Sequence, residues 1–169
     1  MLPLVCHPQS RPGAVRSLEA RVERAAGGLA LKFVLRGSLE GLRIPAPRPP
    51  RSVRGLWEHT CCEIFVAAGG APAYHEFNLS PSGEWAAHAF GRYREGAMLS
   101  DPALDPRIAV RRGPGELELE ALIRVEGKRL LIGLAAVVEA ADGSLSYWAL
   151  RHPPGKPDFH HRDAFALEL

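Results

Sequence analysis

Residues able to recognise or transform a ligand are concentrated in three stretches: 57–65 (WEHTCCEIF), 74–85 (YHEFNLSPSGEW) and 151–161 (RHPPGKPDFHH). Aromatic rings set among carboxylates, an amide and arginine suit a sugar, whose C–H faces stack on rings while its hydroxyls take charged or amide partners. The general form of such a site is an apolar cleft with a few placed polar groups. Trp57, at a loop–strand junction, is the candidate stacking platform, whereas Phe65 and Phe77 lie inside strands and read as core. Glu63 interrupts an apolar run and shares a face with Cys61 and Phe65; Glu76 shares one with Tyr74 and Asn78. A carboxylate on a buried sheet face needs a partner, for which Arg94 and Arg151 are candidates, and a simply solvated face is the plain alternative. Two such carboxylates also permit general acid–base chemistry of the kind that hydrolyses glycosides, a reading placed below simple binding.

The third stretch carries His152, His160 and His161 beside Asp158. Adjacent histidines diverge on an extended chain, so no metal site is expected there. The Pro- and Gly-rich run 153–157 makes a rigid loop able to set Lys156, Asp158 and Phe159 over a cleft. A long connection locked by its own hydrogen bonds is the plain alternative. GxSxG, P-loop, GxGxxG and HExxH motifs are all missing, which removes the commonest hydrolase and nucleotide-binding readings.

The elements that must hold these residues are short strands. Leu29, Leu31, Phe33 and Leu35 alternate with Lys32 and Arg36, and the preceding segment 15–24 can pair with them across 25–28. The four prolines of 43–51 make a stiff loop that cannot be a paired central strand. Segments 61–66 and 74–79 read as consecutive strands, and Ser80-Pro81-Ser82-Gly83 as a type I turn into a strand over 84–90. A turn at 111–115 separates 108–110 from 116–123, where Leu117, Leu119, Ala121 and Ile123 alternate with glutamates in the manner of a half-buried antiparallel strand. Segment 130–138, interrupted by Gly133, reads as a buried strand, followed by a hairpin turn at 141–143, a strand over 145–150 and a last alternation over 165–169. About ten short strands with frequent turns describe an all-β, antiparallel β-sandwich.

Composition agrees. The 169 residues, 46% hydrophobic and 24% charged, suit one domain spanning 1–169, and 17 Gly with 15 Pro suit a turn-rich β protein. A net charge of +2 from 21 basic and 19 acidic residues draws in neither nucleic acid nor anionic lipid. Cys6, Cys61 and Cys62 are an odd number without CxxC spacing, which fits reduced thiols. No stretch approaches the length of a membrane span, and the N-terminus lacks a signal-peptide pattern, so the expectation is a cytoplasmic protein.

The stretches 56–65, 74–85 and 144–161 resemble the bacterial DOMON-like domain proteins, a subgroup in a superfamily of ligand-binding sandwiches that includes family-nine carbohydrate-binding modules and haem-binding cytochrome domains. The resemblance implies a jelly-roll type β-sandwich that binds a small ligand without catalysis. In the sugar-binding branch a Trp precedes a strand with a Glu six residues on, a pattern that Trp57 and Glu63 match. His75 or Glu76 is the nearest match to a polar contact on the following strand, and Phe159 to a second sandwiching aromatic. The expected site therefore comprises Trp57, Glu63, His75, Glu76, Asn78, Arg94, His152, Lys156, Asp158, Phe159 and His160, with Glu63 and Glu76 as acceptors and Arg94, His152 and Lys156 as donors. A saccharide or sugar derivative is the favoured ligand. Haem, held by Met98 and a histidine, is the alternative; an enzyme using Glu63 or Glu76 comes third and a protein-interaction module fourth.

Overall fold

The computed structural model describes residues 1–169, the side chain of Pro102 excepted. The first half of the chain holds β1 (Leu2–Pro3), β2 (Val5–Cys6), β3 (Val15–Ala25), β4 (Gly28–Gly37), β5 (Cys61–Ala68), β6 (Tyr74–Leu79) and β7 (Trp85–Arg92). The second holds β8 (Glu95–Met98), β9 (Arg107–Gly113), β10 (Glu116–Ile123), β11 (Leu130–Glu139), β12 (Leu145–Ala149) and β13 (Leu167–Glu168). One sheet runs β1-β3-β4-β10-β9; the larger runs β2-β12-β11-β5-β6-β7-β8, with β13 also paired to β11. Every strand pairing is antiparallel. The expected β-sandwich is therefore the observed architecture. Three strands exceed the expected set: β1 and β2 are too short to display alternation, and the exposed edge β8 has the unpatterned sequence EGAM. The alternation over 165–169 shrinks to β13, because Phe165 ends a 3₁₀ turn (Arg162–Ala164) and packs elsewhere.

The smaller sheet has one wet face. Leu117, Leu119, Ala121 and Ile123 enter the core between the sheets, while Lys32 bridges Glu118 and Glu120 at 2.6 and 3.3 Å on the outside. The larger sheet is buried on both faces. Ile64, Val66, Phe77, Leu79, Ile132 and Leu134 pack inward against Phe33 and Leu119. On its other face Phe65, Tyr74, Ala135 and Val137 pack with Phe159, Ala164 and Phe165 from the chain's end. Gly133 makes that second layer fit: a Cβ there would stand 3.3 Å from the carbonyl of Ala164 and from the Phe165 ring. The proline-rich loop follows the sheet margin, with Val53 N–H donating to the Trp85 carbonyl at 2.8 Å and Trp85 N–H to that of Arg51 at 3.0 Å.

The β6–β7 connection is a turn closed by Gly83 N–H to the Ser80 carbonyl at 2.9 Å, with Pro81 in its second position. It is buried. Ser82 Oγ donates to Glu84 Oε2 at 3.0 Å, Arg51 clasps Glu84 at 2.8 Å, and Pro81 faces a small gap beside Leu18, Phe33 and Leu119. Losing both the φ restraint and ring methylenes, Pro81→Ala is expected to cost about 2 kcal/mol in a denaturant midpoint. Ligand affinity should stay unchanged, since the turn lies outside the cavity described next; an affinity loss at unchanged stability would contradict this placement.

Candidate functional site

The outer face of the larger sheet is where the polar residues gather. Register sets Glu63 opposite Asn78 and Ala135, and Glu76 opposite Phe65 and His88, so Glu63, Asn78, Glu76 and His88 share one face across three adjacent strands. Small neighbours, Ala86 and Ala135, leave room above them. A cavity of about 520 Å³ opens there, within the usual range for small-molecule sites. Glu63, Glu76, His88, Phe90, Val137 and Tyr147 supply its sheet side. Trp57 and Glu58 stand at the rim, and Arg94, Pro157, Phe159 and His160 close over it.

Trp57 is held out to solvent by a short 3₁₀ turn (Leu56–Glu58) that starts at Gly55, whose φ of +79° favours glycine. Leu56 is buried against Cys61 and Ala86 while Trp57 stays 43% exposed, its ring edge-on to His88 at 5.8 Å. Just beyond, His59 Nδ1 pairs with Glu139 Oε2 at 2.8 Å, and Arg43 reaches the other oxygen at 2.9 Å. Burial alone would raise the Glu139 carboxyl; these two partners hold it below the usual carboxylate range. The platform is thereby tied to the end of β11. Trp57 and Glu58 also form the ridge to a neighbouring groove lined by Arg48, Arg51 and Arg54.

The roof hangs on Tyr74. Its hydroxyl accepts from Arg94 N–H at 3.0 Å and shares a hydrogen bond with His160 Nδ1 at 2.9 Å, while His160 Nε2 stands 3.7 Å from Glu76 Oε2. Asp158 gathers the rest: it accepts from Tyr93 Oη at 2.5 Å, Arg94 at 2.9 Å and His160 N–H at 3.1 Å. Asn78, fully buried, donates to Glu76 Oε1 at 2.6 Å. Glu63 Oε1 is buried with no hydrogen-bond partner among the described residues.

Burial pushes the Glu63 carboxyl well up, and the charge of Glu76 pushes it the same way. Glu76 is raised by burial too, against the opposing pull of Asn78 and Arg94. Burial and then Arg94 bring His160 down to about 4, and burial and Arg54 lower His88. At neutral pH the cavity holds uncharged imidazoles beside two carboxyls, Glu63 and Glu76, that resist ionisation.

Of the residues singled out in the sequence, Trp57, Glu63, Glu76, Arg94, Phe159 and His160 come together around the cavity. Asn78 and Asp158 stand behind it, positioning Glu76 and Arg94. His152 lies outside, its Nε2 bonded to the Val5 carbonyl at 2.8 Å and its ring against His7 and Phe159. His75 and Lys156 are exposed and stand apart from the lining. Arg151 is exposed as well, so the cation facing Glu76 is Arg94. Met98, the candidate axial ligand for haem, packs beside Leu56, Cys61 and Ala86 instead of facing the cavity. Among the described residues no group of His, Cys, Asp and Glu is arranged to hold a metal ion. Sequence reasoning missed His88, Phe90 and Tyr147; the first two follow once the β6–β7 turn sets Glu76 opposite His88, and Tyr147 shares the outward face of β12 with Leu145.

These shifts give opposite pH signatures. His160 titrates lower in the folded chain than its ordinary value of 6.5, so its contribution is lost as pH falls from 6.5 towards about 4. A shift of that size is worth on the order of 3 kcal/mol. Glu63 titrates higher than its ordinary value of 4.5, so its contribution is lost as pH rises above 4.5. Thermal melts across this range should show a flatter acid limb for His160→Gln and a flatter rise-side loss for Glu63→Gln. Slopes matching those of the parent would refute the burial of these groups.

No protein-family model matches the sequence, and neither does any curated protein. In three dimensions the chain is similar to a protein from Bacteroides uniformis ascribed to carbohydrate binding, with a TM-score of 0.71 and 19% identity over 96% of this chain and 82% of that one. It is also similar to a family 9 carbohydrate-binding module from Caldicellulosiruptor kristjanssonii, solved in complex with glucose, with a TM-score of 0.52 and 10% identity over 98% and 82% of the two chains. At such identities the likeness is one of fold: the chain has the antiparallel β-sandwich of these carbohydrate-binding proteins.

Proposed function

We propose that the protein is a non-catalytic binding module for a saccharide or sugar derivative, seated in the cavity on the outer face of the larger sheet. The observation that carries this reading is the pairing of an exposed indole with enclosed carboxyls around one cavity: Trp57 at the rim, Glu63 and Glu76 within. A pyranose offers both surfaces this needs, an apolar ring face for Trp57 and hydroxyls for Glu63, Glu76, Arg94 and His160. Phe90, Tyr147 and Phe159 supply further apolar wall. The shared fold with a module that binds glucose supports the same class of ligand.

An exposed Trp kept in place by its neighbours' hydrogen bonds, and not by its own burial, should matter to affinity more than to folding. Trp57→Ala is expected to weaken saccharide binding by about 2 kcal/mol or more, the size of an aromatic hot spot, while hardly moving the denaturant midpoint. Calorimetric titration with glucose and cello-oligosaccharides, run on parent and variant, reads this directly. Saccharide binding that survives the substitution unchanged, or a collapsed midpoint, would overturn the platform role; a parent that binds no sugar would overturn the function.

A further inference from the structure

The cavity wall is acidic beyond what a neutral sugar requires. Glu58, Glu63 and Glu76 line it, and among the described lining residues Arg94 is the one Arg or Lys. That guanidinium is already engaged, at 2.9 Å from Asp158 Oδ1 and 3.2 Å from the Tyr93 hydroxyl. Glu63 is 2% exposed, and its Oε1 has no hydrogen-bond partner among the described residues. Glu76 uses Oε1 to accept from Asn78, while its Oε2 meets only the more distant His160 Nε2 at 3.7 Å. The two carboxyls project from adjacent strands as a diagonal pair, a spacing of roughly 7–8 Å at the backbone that long side chains close onto a shared partner. Around them stand the rings of Trp57, Phe90, Tyr147 and Phe159.

Carboxyls with no Arg or Lys bonded to them, ringed by aromatic faces, are the surroundings in which an ammonium is held best. Each carboxylate gives a charge-assisted hydrogen bond, and each ring face adds a cation–π attraction that strengthens as water is excluded. Resting on the saccharide reading above, we propose that the cavity selects an amino sugar: a hexose bearing a protonated primary amine, the ammonium bridging Glu63 and Glu76. A neutral hexose leaves the buried pair resisting ionisation, whereas an ammonium lets both carboxyls ionise against it. Of the other titratable groups facing this point, His88 and His160 are kept uncharged by burial, and Arg94, whose charge acts on Glu76, has its guanidinium bonded to Asp158 and Tyr93.

The test compares D-glucosamine, D-glucose and N-acetyl-D-glucosamine by calorimetric titration near pH 6.5, where a primary amine is protonated. Glucosamine is expected to bind about tenfold or more tightly than glucose, and N-acetylglucosamine, with the same ring and no charge, to lose that advantage. Glu63→Gln should bring the glucosamine-to-glucose affinity ratio towards one. Glu76→Gln, a second variant in case the first fails to fold, should do the same. A ratio near one in the parent, or a ratio that both variants leave intact, overturns the proposal. Glucose binding that depends on Trp57 with a ratio near one would overturn amine selection and leave the saccharide reading standing. Absence of binding by every sugar overturns both.

Discussion

One phenol hydroxyl joins the parts of the molecule that make a cavity possible. Tyr74 stands on β6 with its ring stacked on Phe90 at 4.7 Å, and its oxygen takes the backbone N–H of Arg94 and shares a hydrogen bond with His160 Nδ1. The first bond secures the β7–β8 turn, where Arg94 is held at a φ of +56°, unusual for a residue with a side chain. The second secures the long C-terminal loop. Asp158 then links the same two segments from the loop side, through Tyr93 and Arg94. Two irregular pieces of chain, far apart in sequence, become one roof because both are bonded to the same strand residue and to each other.

That roof has a consequence for the sheet below it. In a simple sandwich the larger sheet would bury one face and wet the other. Here the C-terminal segment covers the second face, so the residues there no longer have water to satisfy them. For Phe65, Val137 and Phe165 this is favourable packing. For Glu63 and Glu76 it is a cost, expressed in carboxyls that resist ionisation. A fold optimised for stability alone would place apolar side chains at both positions. Unusual titration in an enclosed, partly apolar cavity is a mark of sites that meet ligands, which supports the proposal that this face, and not the salt-bridged outer face of the smaller sheet, binds the ligand.

Much of this is legible in the residues themselves. Alternation locates the strands because each has one face against apolar atoms: Leu117 to Ile123 with intervening glutamates is the clearest instance. The same period of two puts Glu63 on a face with Cys61 and Phe65, and Glu76 on a face with Tyr74 and Asn78. Trp57 is identifiable as a rim residue from its position between a proline-rich loop and a strand. Alternation carries no information about β1, β2 and β8, since two to four residues without a pattern pair only because a neighbouring edge is available.

Side-chain periodicity is a local property, so the sequence by itself determined which residues share a strand face and hence that the fold is a sandwich; that Glu63 and Glu76 stand on the outer face of the larger sheet was decided by tertiary structure. Which loop would cover that face was decided by tertiary structure. His152, His160, Lys156 and Asp158 lie within nine residues of one another, yet only His160 enters the cavity; His152 braces the N-terminal strand, Asp158 holds Arg94 and Lys156 points to solvent. A loop of prolines and glycines has no repeating geometry from which to read direction. Its course is set by long-range bonds to Tyr74, Arg94 and Val5, and by the missing side chain of Gly133 that lets its end settle onto the sheet. Those partners are 60 or more positions away for the first two and about 147 for the third, separations that only the folded chain brings within hydrogen-bond distance.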